Sequence, residues 1–277
     1  MIVMPLTELW AFDFMRYALI SACLLGPACA LLGVFVTLRG MAFFSDALAH
    51  SAVTGVALGM LLEERFGVPA DSQISLFVFS LILASLMAWV LHRSRLPADT
   101  VIAFSFTGSV ALGVVIVSML GRYRMLDGIL FGSIYSNGPA DLVKQGILAL
   151  LIVVLMVTQM RAYLLHTICP EIAQAHGQRT GLTHYGFVLL IAATVAICLK
   201  MLGALLLSAL VVIPAASGRL VCSSFRGLLI FSVISGFMAG FAGVVASWIL
   251  NVPTSPCIVL ANITVLVCCF FWRSVRS

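Results

Sequence analysis

Residues 17–38 read YALISACLLGPACALLGVFVTL, a stretch without a single charged side chain. A helix that crosses the hydrocarbon core of a bilayer, which is about 30 Å thick, needs about 20 consecutive apolar residues. The stretch is therefore long enough to cross a membrane as one helix. Its apolar residues are continuous and do not alternate with polar ones, so the pattern favours a helix over a strand of a membrane barrel.

Similar stretches recur along the whole chain. Apolar runs lie at 17–38, 42–62, 74–91, 99–120, 140–160, 185–199, 202–221, 228–250 and 255–272. They predict an all-α fold, a polytopic transmembrane helical bundle with about 8–9 spans. The run at 185–199 is the shortest of them, so residues 185–221 are also compatible with a hairpin that has one re-entrant arm.

The composition supports a membrane location and excludes several classes of protein. Of the 277 residues, 62% are hydrophobic and 9% are charged, and the mean hydropathy is +1.19. Soluble domains carry about 25% charged residues, so a water-soluble enzyme, a disordered chain and a nucleic-acid-binding protein are excluded. We expect a single transmembrane domain over residues 1–277, with membrane lipid and no nucleic acid among its partners.

Small residues within the runs are expected to serve helix packing. The eight cysteines are scattered without a CxxC motif, so no disulfide framework is predicted. Glycines four residues apart allow two helices to approach closely, and they occur as Gly55 with Gly59, Gly128 with Gly132, and Gly236 with Gly240.

Basic residues in the loops predict the orientation, because cytoplasmic loops carry an excess of Lys and Arg. If the polar segment 161–184 is cytoplasmic, nine basic residues lie inside and six outside. The inside set is Arg39, Arg93, Arg95, Arg161, Arg179, Arg219, Arg226, Arg273 and Arg276, and the outside set is Arg16, Arg65, Arg122, Arg124, Lys144 and Lys200. The N-terminus is then outside and the C-terminus cytoplasmic.

Two ionisable residues lie within one run, in the sequence FFSDALAHSAVTGVALG at 43–59. Asp46 and His50 are four residues apart, so on a helix they project from the same face about one turn apart. A carboxylate inside a membrane costs about 2.5–3.5 kcal/mol on insertion scales, which favours a function for it. Two interpretations remain open from the residues alone: a transition-metal site, or a mutually satisfied pair at the helix entrance with Asp46 as a cap.

A metal site would need more ligands than this pair supplies. The other four histidines, His92, His166, His176 and His184, lie in or beside the predicted cytoplasmic loops. A carboxylate with an imidazole suits ions such as zinc or manganese. A symmetric dimer with this helix on its two-fold axis would supply two Asp and two His, enough for a four-coordinate zinc ion.

The longest predicted cytoplasmic loop contains CPEIAQAHG at 169–177. Pro170 suits a first helical turn, Glu171 is favourable near the positive end of a helix, and Gly177 suits a C-terminal cap. The segment therefore predicts a short amphipathic helix outside the membrane. It is either a surface helix at the interface or a docking element for a cytoplasmic partner.

No motif in the sequence indicates catalysis. There is no GxxxxGK[ST] phosphate-binding loop, no HExxH and no GxSxG. The chain is therefore not expected to be an enzyme or to hydrolyse a nucleotide itself.

Four blocks of the sequence resemble one family, the permease subunits of metal-cation ABC importers. They are GVFVTLRGMAFFSDALAHSAVTGVALG at 33–59, ILFGSIY at 129–135, CPEIAQAHG at 169–177 and MLGALLLSALVVIPAASGRL at 201–220. The resemblance implies a second permease subunit, identical or paralogous, a cytoplasmic ABC ATPase dimer, and an extracytoplasmic metal-binding protein, all at the plasma (inner) membrane of a bacterium. It also implies import of zinc, manganese or iron. From the Asp46–His50 pair we expect this import to proceed by alternating access, and we favour zinc among the three ions.

The resemblance assigns roles to residues of this chain. It makes Asp46 and His50 the metal-contacting pair, and it makes the cytoplasmic segment a coupling helix that docks on the ATPase through Pro170, Glu171, Ala175 and Gly177. No cofactor is expected to be bound permanently: the metal ion is cargo, and the partner subunit uses ATP. The chain differs from the usual family pattern at Cys169, where Asp is common, and at Asn251-Val252-Pro253, where Asp-Leu-Pro is common.

Three other functions remain possible from the sequence. A permease for a larger metal chelate, of the siderophore or cobalamin type, would share the bundle but would not need Asp46 and His50. A passive, ATP-independent metal channel would need no ATPase. A membrane-embedded enzyme would need further convergent polar residues within the spans.

Overall fold

The computed structural model describes residues 12–67, 72–94, 96–121, 138–168, 172 and 180–276. All regular secondary structure within these ranges is helical. The helices are α1 (Asp13–Leu38), α2 (Phe44–Phe66), α3 (Ser72–Arg93), α4 (Ala98–Leu120), α5 (Pro139–Thr158), α6 (Met160–Ile168), α7 (Thr180–Val221), α8 (Phe225–Leu250) and α9 (Thr254–Arg276).

Eight helices of the described ranges contain stretches that are long and apolar enough to cross a membrane. They are α1 to α5, the C-terminal part of α7, α8 and α9, while Thr183–Leu199 in the N-terminal part of α7 forms a shorter apolar helix. The predicted all-α transmembrane bundle is therefore confirmed. The predicted coupling helix at 169–177 lies, except for Ile172, outside the described residues.

Local sequence explains several of the helix boundaries. Pro139 begins α5, where its fixed φ suits the first turn and its missing N–H costs nothing. At the start of α8, the side chain of Ser224 accepts a hydrogen bond from the Gly227 backbone N–H at 3.1 Å. The same helix ends at Asn251, which has the left-handed conformation (φ 52°, ψ 49°) that Asn tolerates better than most residues.

Helix α7 contains a kink at Gly203. Its backbone (φ 76°, ψ 165°) lies in a region that is accessible almost only to glycine. The kink separates the apolar runs at 185–199 and 202–221, and no loop intervenes between them. The hairpin considered for 185–221 stays a prediction.

The described contacts divide the chain into two compact units, each made of discontinuous segments. The first comprises Met1–Arg39, Ser133–Met160 and Leu205–Ser277, and the second comprises Gly40–Gly132 and Arg161–Ala204. Helices α1, α5, α8 and α9 belong to the first unit, and α2, α3 and α4 belong to the second. The single domain expected over 1–277 stays a prediction.

In the first unit, α1 and α8 pack through glycines. A methyl group built on Gly236 would lie 2.7 Å from the carbonyl oxygen of Gly26 and 2.9 Å from Cβ of Ala30. One turn further along α8, a methyl group on Gly240 would lie 2.9 Å from the carbonyl oxygen of Ala22. The packing role predicted for these two glycines is confirmed, because their backbones touch the facing helix directly.

In the second unit, α2 packs against α3 on one side and α4 on the other. A methyl group on Gly55 of α2 would lie 2.9 Å from Cα of Leu76 and 3.1 Å from Cβ of Phe79, both in α3. On the α4 side, Gly113 lies against the backbone and hydroxyl of Thr54. These close approaches fix the helix that carries Asp46 and His50.

Candidate metal site

The first turn of α2 places Asp46 close to the start of a membrane-spanning helix. The N–H of Phe44 donates to the carbonyl oxygen of Met41 at 3.0 Å, which begins the helix. The N-cap position is occupied by Phe43, which provides no side-chain cap. Because the N-terminal end of a helix carries partial positive charge, a carboxylate in its first turn is stabilised there.

His50 follows one turn later, as the sequence predicts. Its Nε2 lies 3.5 Å from Oδ1 of Asp46. The side chains are 34% exposed for His50 and 37% exposed for Asp46. Both groups are therefore close enough to contact one ion, and neither is sealed inside the protein.

Helix α4 contacts the imidazole of His50 and the next turn of α2. The ring of Phe106 packs edge-on against His50, with ring centroids 5.8 Å apart and an interplanar angle of 73°. One turn beyond His50, the hydroxyl of Thr54 donates to the carbonyl oxygen of Ser109, and the Ser109 hydroxyl donates to Thr54 Oγ1 at 3.3 Å. Residues 46, 50 and 54 thus form a polar stripe, of which the last two contact α4.

A cavity of about 350 Å³ adjoins Asp46 between the beginnings of α2 and α4. Its lining is mainly apolar and consists of Phe43, Asp46, Ala47, Asp99, Ile102, Ala103 and Phe106. Asp99, in the first turn of α4, was not expected from the sequence to belong to the site. One feature of the sequence could have indicated it: Asp99 begins a span on the same predicted side of the membrane as Asp46.

The chemistry of the site matches a transition-metal ion, but one chain supplies few ligands. Carboxylate oxygen and imidazole nitrogen are both ligands of zinc, manganese and iron. Among the described residues, no group of three or more His, Cys, Asp or Glu side chains could hold a metal ion. Asp46 and His50 alone leave most coordination positions of an ion to other donors.

The remaining predicted site residues belong to the segment 169–177. Pro170, Glu171, Ala175 and Gly177 are outside the described residues, so their coupling role stays a prediction. The helices that flank them are described: α6 ends at Ile168 and α7 begins at Thr180.

Comparison with known proteins gives a family match over most of the chain. The family model described as "ABC 3 transport family" matches residues 11–273. The chain is 30% identical over 263 residues to the high-affinity zinc uptake system membrane protein ZnuB of Haemophilus influenzae, covering 95% of this chain and 98% of the relative. It is also 30% identical over 263 residues to the manganese import system permease protein ScaB of Streptococcus parasanguinis, covering 94% and 91%.

A solved structure is similar along nearly the same length. It is PsaBC from Streptococcus pneumoniae in complex with Fab, with a TM-score of 0.80 and 26% sequence identity over 95% of this chain and 93% of that chain. The two relatives are named for different metals, so the similarity does not select one of them.

Proposed function

The chain belongs to the ABC 3 transport family and is a permease of a metal-cation ABC importer, and on that premise we propose that Asp46 and His50 contact a divalent transition-metal ion as it is imported. Import is driven by ATP that a separate partner subunit hydrolyses. The permease alternates between states open to the outside and to the cytoplasm. It carries out no covalent chemistry of its own.

The observation that carries this proposal is the Asp46–His50 pair itself. Nε2 and Oδ1 lie 3.5 Å apart within a membrane span, about a third of each side chain is exposed, and a cavity adjoins Asp46. A divalent ion that enters a medium of low dielectric loses hydration energy, and a carboxylate charge with an imidazole lone pair offsets part of that loss.

A second permease subunit completes the ligand set in this proposal. Two copies of α2 near a two-fold axis would bring together two carboxylates and two imidazoles. That set fits four-coordinate zinc, whose protein ligands are Cys, His, Asp and Glu. We favour zinc over manganese and iron for this reason, and the uptake measurements below compare the three ions directly.

The proposed partners follow from the family. We place the N-terminus outside and the C-terminus in the cytoplasm, in the inner membrane of a bacterium. An extracytoplasmic metal-binding protein delivers the ion, and the segment 161–184 meets the ATPase dimer through Pro170, Glu171, Ala175 and Gly177. ATP hydrolysis then moves that segment and reorients the spans.

The test is uptake of zinc, manganese and iron, each supplied alone, into liposomes that contain the permease, its ATPase and its binding protein. Loss of a residue that hydrogen-bonds to a metal ligand typically costs about 10–100-fold in metal affinity or activity, so loss of the ligand itself should cost at least as much. Asp46→Ala and His50→Ala are each expected to lower ATP-dependent uptake at least about tenfold. Asp13→Ala and His92→Ala remove the same side-chain types from exposed positions and should leave uptake unchanged.

Two results would refute the proposal. Uptake that survives the double replacement of Asp46 and His50 would remove their role and favour a permease for a larger chelate. Metal flux that does not depend on ATP would favour a passive channel.

A further inference from the structure

Helices α6 and the beginning of α7 lie side by side in the second unit, and their aromatic residues contact each other in pairs. The rings of Tyr163 and Phe187 have centroids 5.5 Å apart, and both side chains are buried. One turn further along α6, the ring of His166 faces that of His184, with centroids 6.1 Å apart and planes inclined by 23°. From the first contact to the second, the residue number rises along α6 and falls along α7, so the two segments are antiparallel.

This pairing brings two imidazoles together from different helices. The buried Tyr163–Phe187 contact fixes the register, and His166 and His184 follow three residues away on each helix. Both side chains are half-buried as a whole, and the Nε2 atom of His184 itself is buried. No residue of the candidate metal site on α2 takes part in this contact.

The separation suits a shared transition-metal ion. A Zn–N bond is about 2.0–2.1 Å long and a ring nitrogen lies about 1 Å from the ring centre, so two imidazoles that share an ion have centroids roughly 5–6 Å apart. The observed 6.1 Å is at the upper end of that range. Because a bound ion lies in the plane of an imidazole ring, sharing it requires both side chains to rotate until one nitrogen of each ring points between the rings.

We propose that His166 and His184 form a second transition-metal site, which takes zinc or another imidazole-binding divalent ion and completes its coordination with water. The site spans the gap between the end of α6 and the start of α7, on either side of the segment 169–179. An ion bound there ties the two ends of that segment together. The described residues supply two ligands, and a site with two ligands binds more weakly than a full four-ligand site and fills when metal is abundant.

The consequence for transport rests on the proposed function, in which the segment 169–179 couples the permease to its ATPase. Metal that accumulates in the cytoplasm would then occupy this site and slow further import. The metal-binding part of the inference does not depend on that role and can be tested alone.

The binding test uses the full chain with its ATPase in lipid nanodiscs, in an Asp46→Ala, His50→Ala background that removes the transport pair. Zn²⁺ alone is titrated in competition with a fluorescent zinc indicator. One zinc ion per chain is expected in this background, and adding His166→Gln or His184→Gln should weaken its binding at least about tenfold. The control His92→Gln removes an exposed imidazole at the end of α3 and should leave the affinity unchanged.

Equal zinc affinity in all these variants would overturn the site, as would the absence of zinc from the background protein. Because His166→Gln can disturb folding, His166→Cys provides an independent measurement: it keeps a ligand, and Co²⁺ bound there should show a thiolate charge-transfer band. Absence of that band would overturn the site too.

Regulation is measured separately, as ATPase activity of the wild-type complex with zinc on the cytoplasmic side. Added zinc should inhibit the wild type, and His184→Gln should relieve the inhibition at the same zinc concentration. Equal inhibition of both would overturn the regulatory role. Failure of the transport proposal would be recognised differently, by normal uptake in the Asp46 and His50 variants.

Discussion

Replacement of Gly236 by Ala tests the glycine-mediated contact between α1 and α8. The added methyl group would lie 2.7 Å from the Gly26 carbonyl oxygen and 2.9 Å from Cβ of Ala30. Neither atom can be moved by a side-chain rotation, because one belongs to the backbone and the other is fixed to it. The two helices must separate by several tenths of an ångström along this contact.

Two opposing effects set the magnitude. Overpacking of a close contact typically costs about 1–3 kcal/mol, whereas Ala is preferred over Gly within a helix by about 0.5–1 kcal/mol. The cost is larger, so Gly236→Ala is expected to destabilise the protein by about 0.5–2 kcal/mol. The matched control is Gly146→Ala in α5, where an added methyl group meets no atom within 4 Å, so only the stabilising effect of about 0.5–1 kcal/mol applies.

The assay is thermal unfolding of the purified permease in one detergent at one scan rate, since membrane proteins often unfold irreversibly. For chains of roughly this size, each kcal/mol shifts the midpoint by about 2–4 °C. The midpoint should fall for Gly236→Ala and rise for Gly146→Ala. If Gly236→Ala unfolded at or above the wild-type temperature, the reasoning about this contact would be wrong.

Two further substitutions test the kink in α7 and the polar stripe of α2. Gly203→Ala forces a side chain into a glycine-only conformation at a cost of about 1–3 kcal/mol. Both the unfolding midpoint and the uptake rate should therefore fall. An unchanged midpoint would contradict the positive φ of 76° at this residue. Thr54→Val leaves the Ser109 hydroxyl and carbonyl without their α2 partner and should destabilise the protein by about 1–3 kcal/mol. Ser51→Ala removes a hydroxyl that, among the described residues, donates to the Ala47 carbonyl of its own helix, so it should cost less. Equal midpoints for these two variants would show that the α2–α4 hydrogen bonds contribute little.

Most of the fold could be predicted from the sequence because each membrane span is specified by one continuous stretch of residues. A chain in hydrocarbon must satisfy its backbone hydrogen bonds within each helix, so a continuous apolar run is sufficient to identify a span. The run at 17–38 became α1 (Asp13–Leu38) in this way. The run at 185–199 was the most ambiguous, because it is shorter than a bilayer requires and adjoins the kink at Gly203.

The candidate site was predictable only in part. Asp46 and His50 belong to one helix, and the helical period alone places them on one face. Asp99 belongs to another helix and joins the cavity only because α4 packs against α2. The contact of Phe106 with His50 depends on the same packing, and no pattern within either run indicates it.

The sequence by itself determined that this chain is a helical membrane protein, where its spans lie, and which ionisable pair lies inside one of them. Only the tertiary structure decided that α2 lies against α4, that a cavity bordered by Asp99 adjoins Asp46, and that His166 meets His184. The physical reason is that hydropathy and helical period are properties of one segment. The choice of neighbouring helix in a lipid environment depends instead on the shape fit between surfaces, since lipid and apolar side chains are equally hydrophobic.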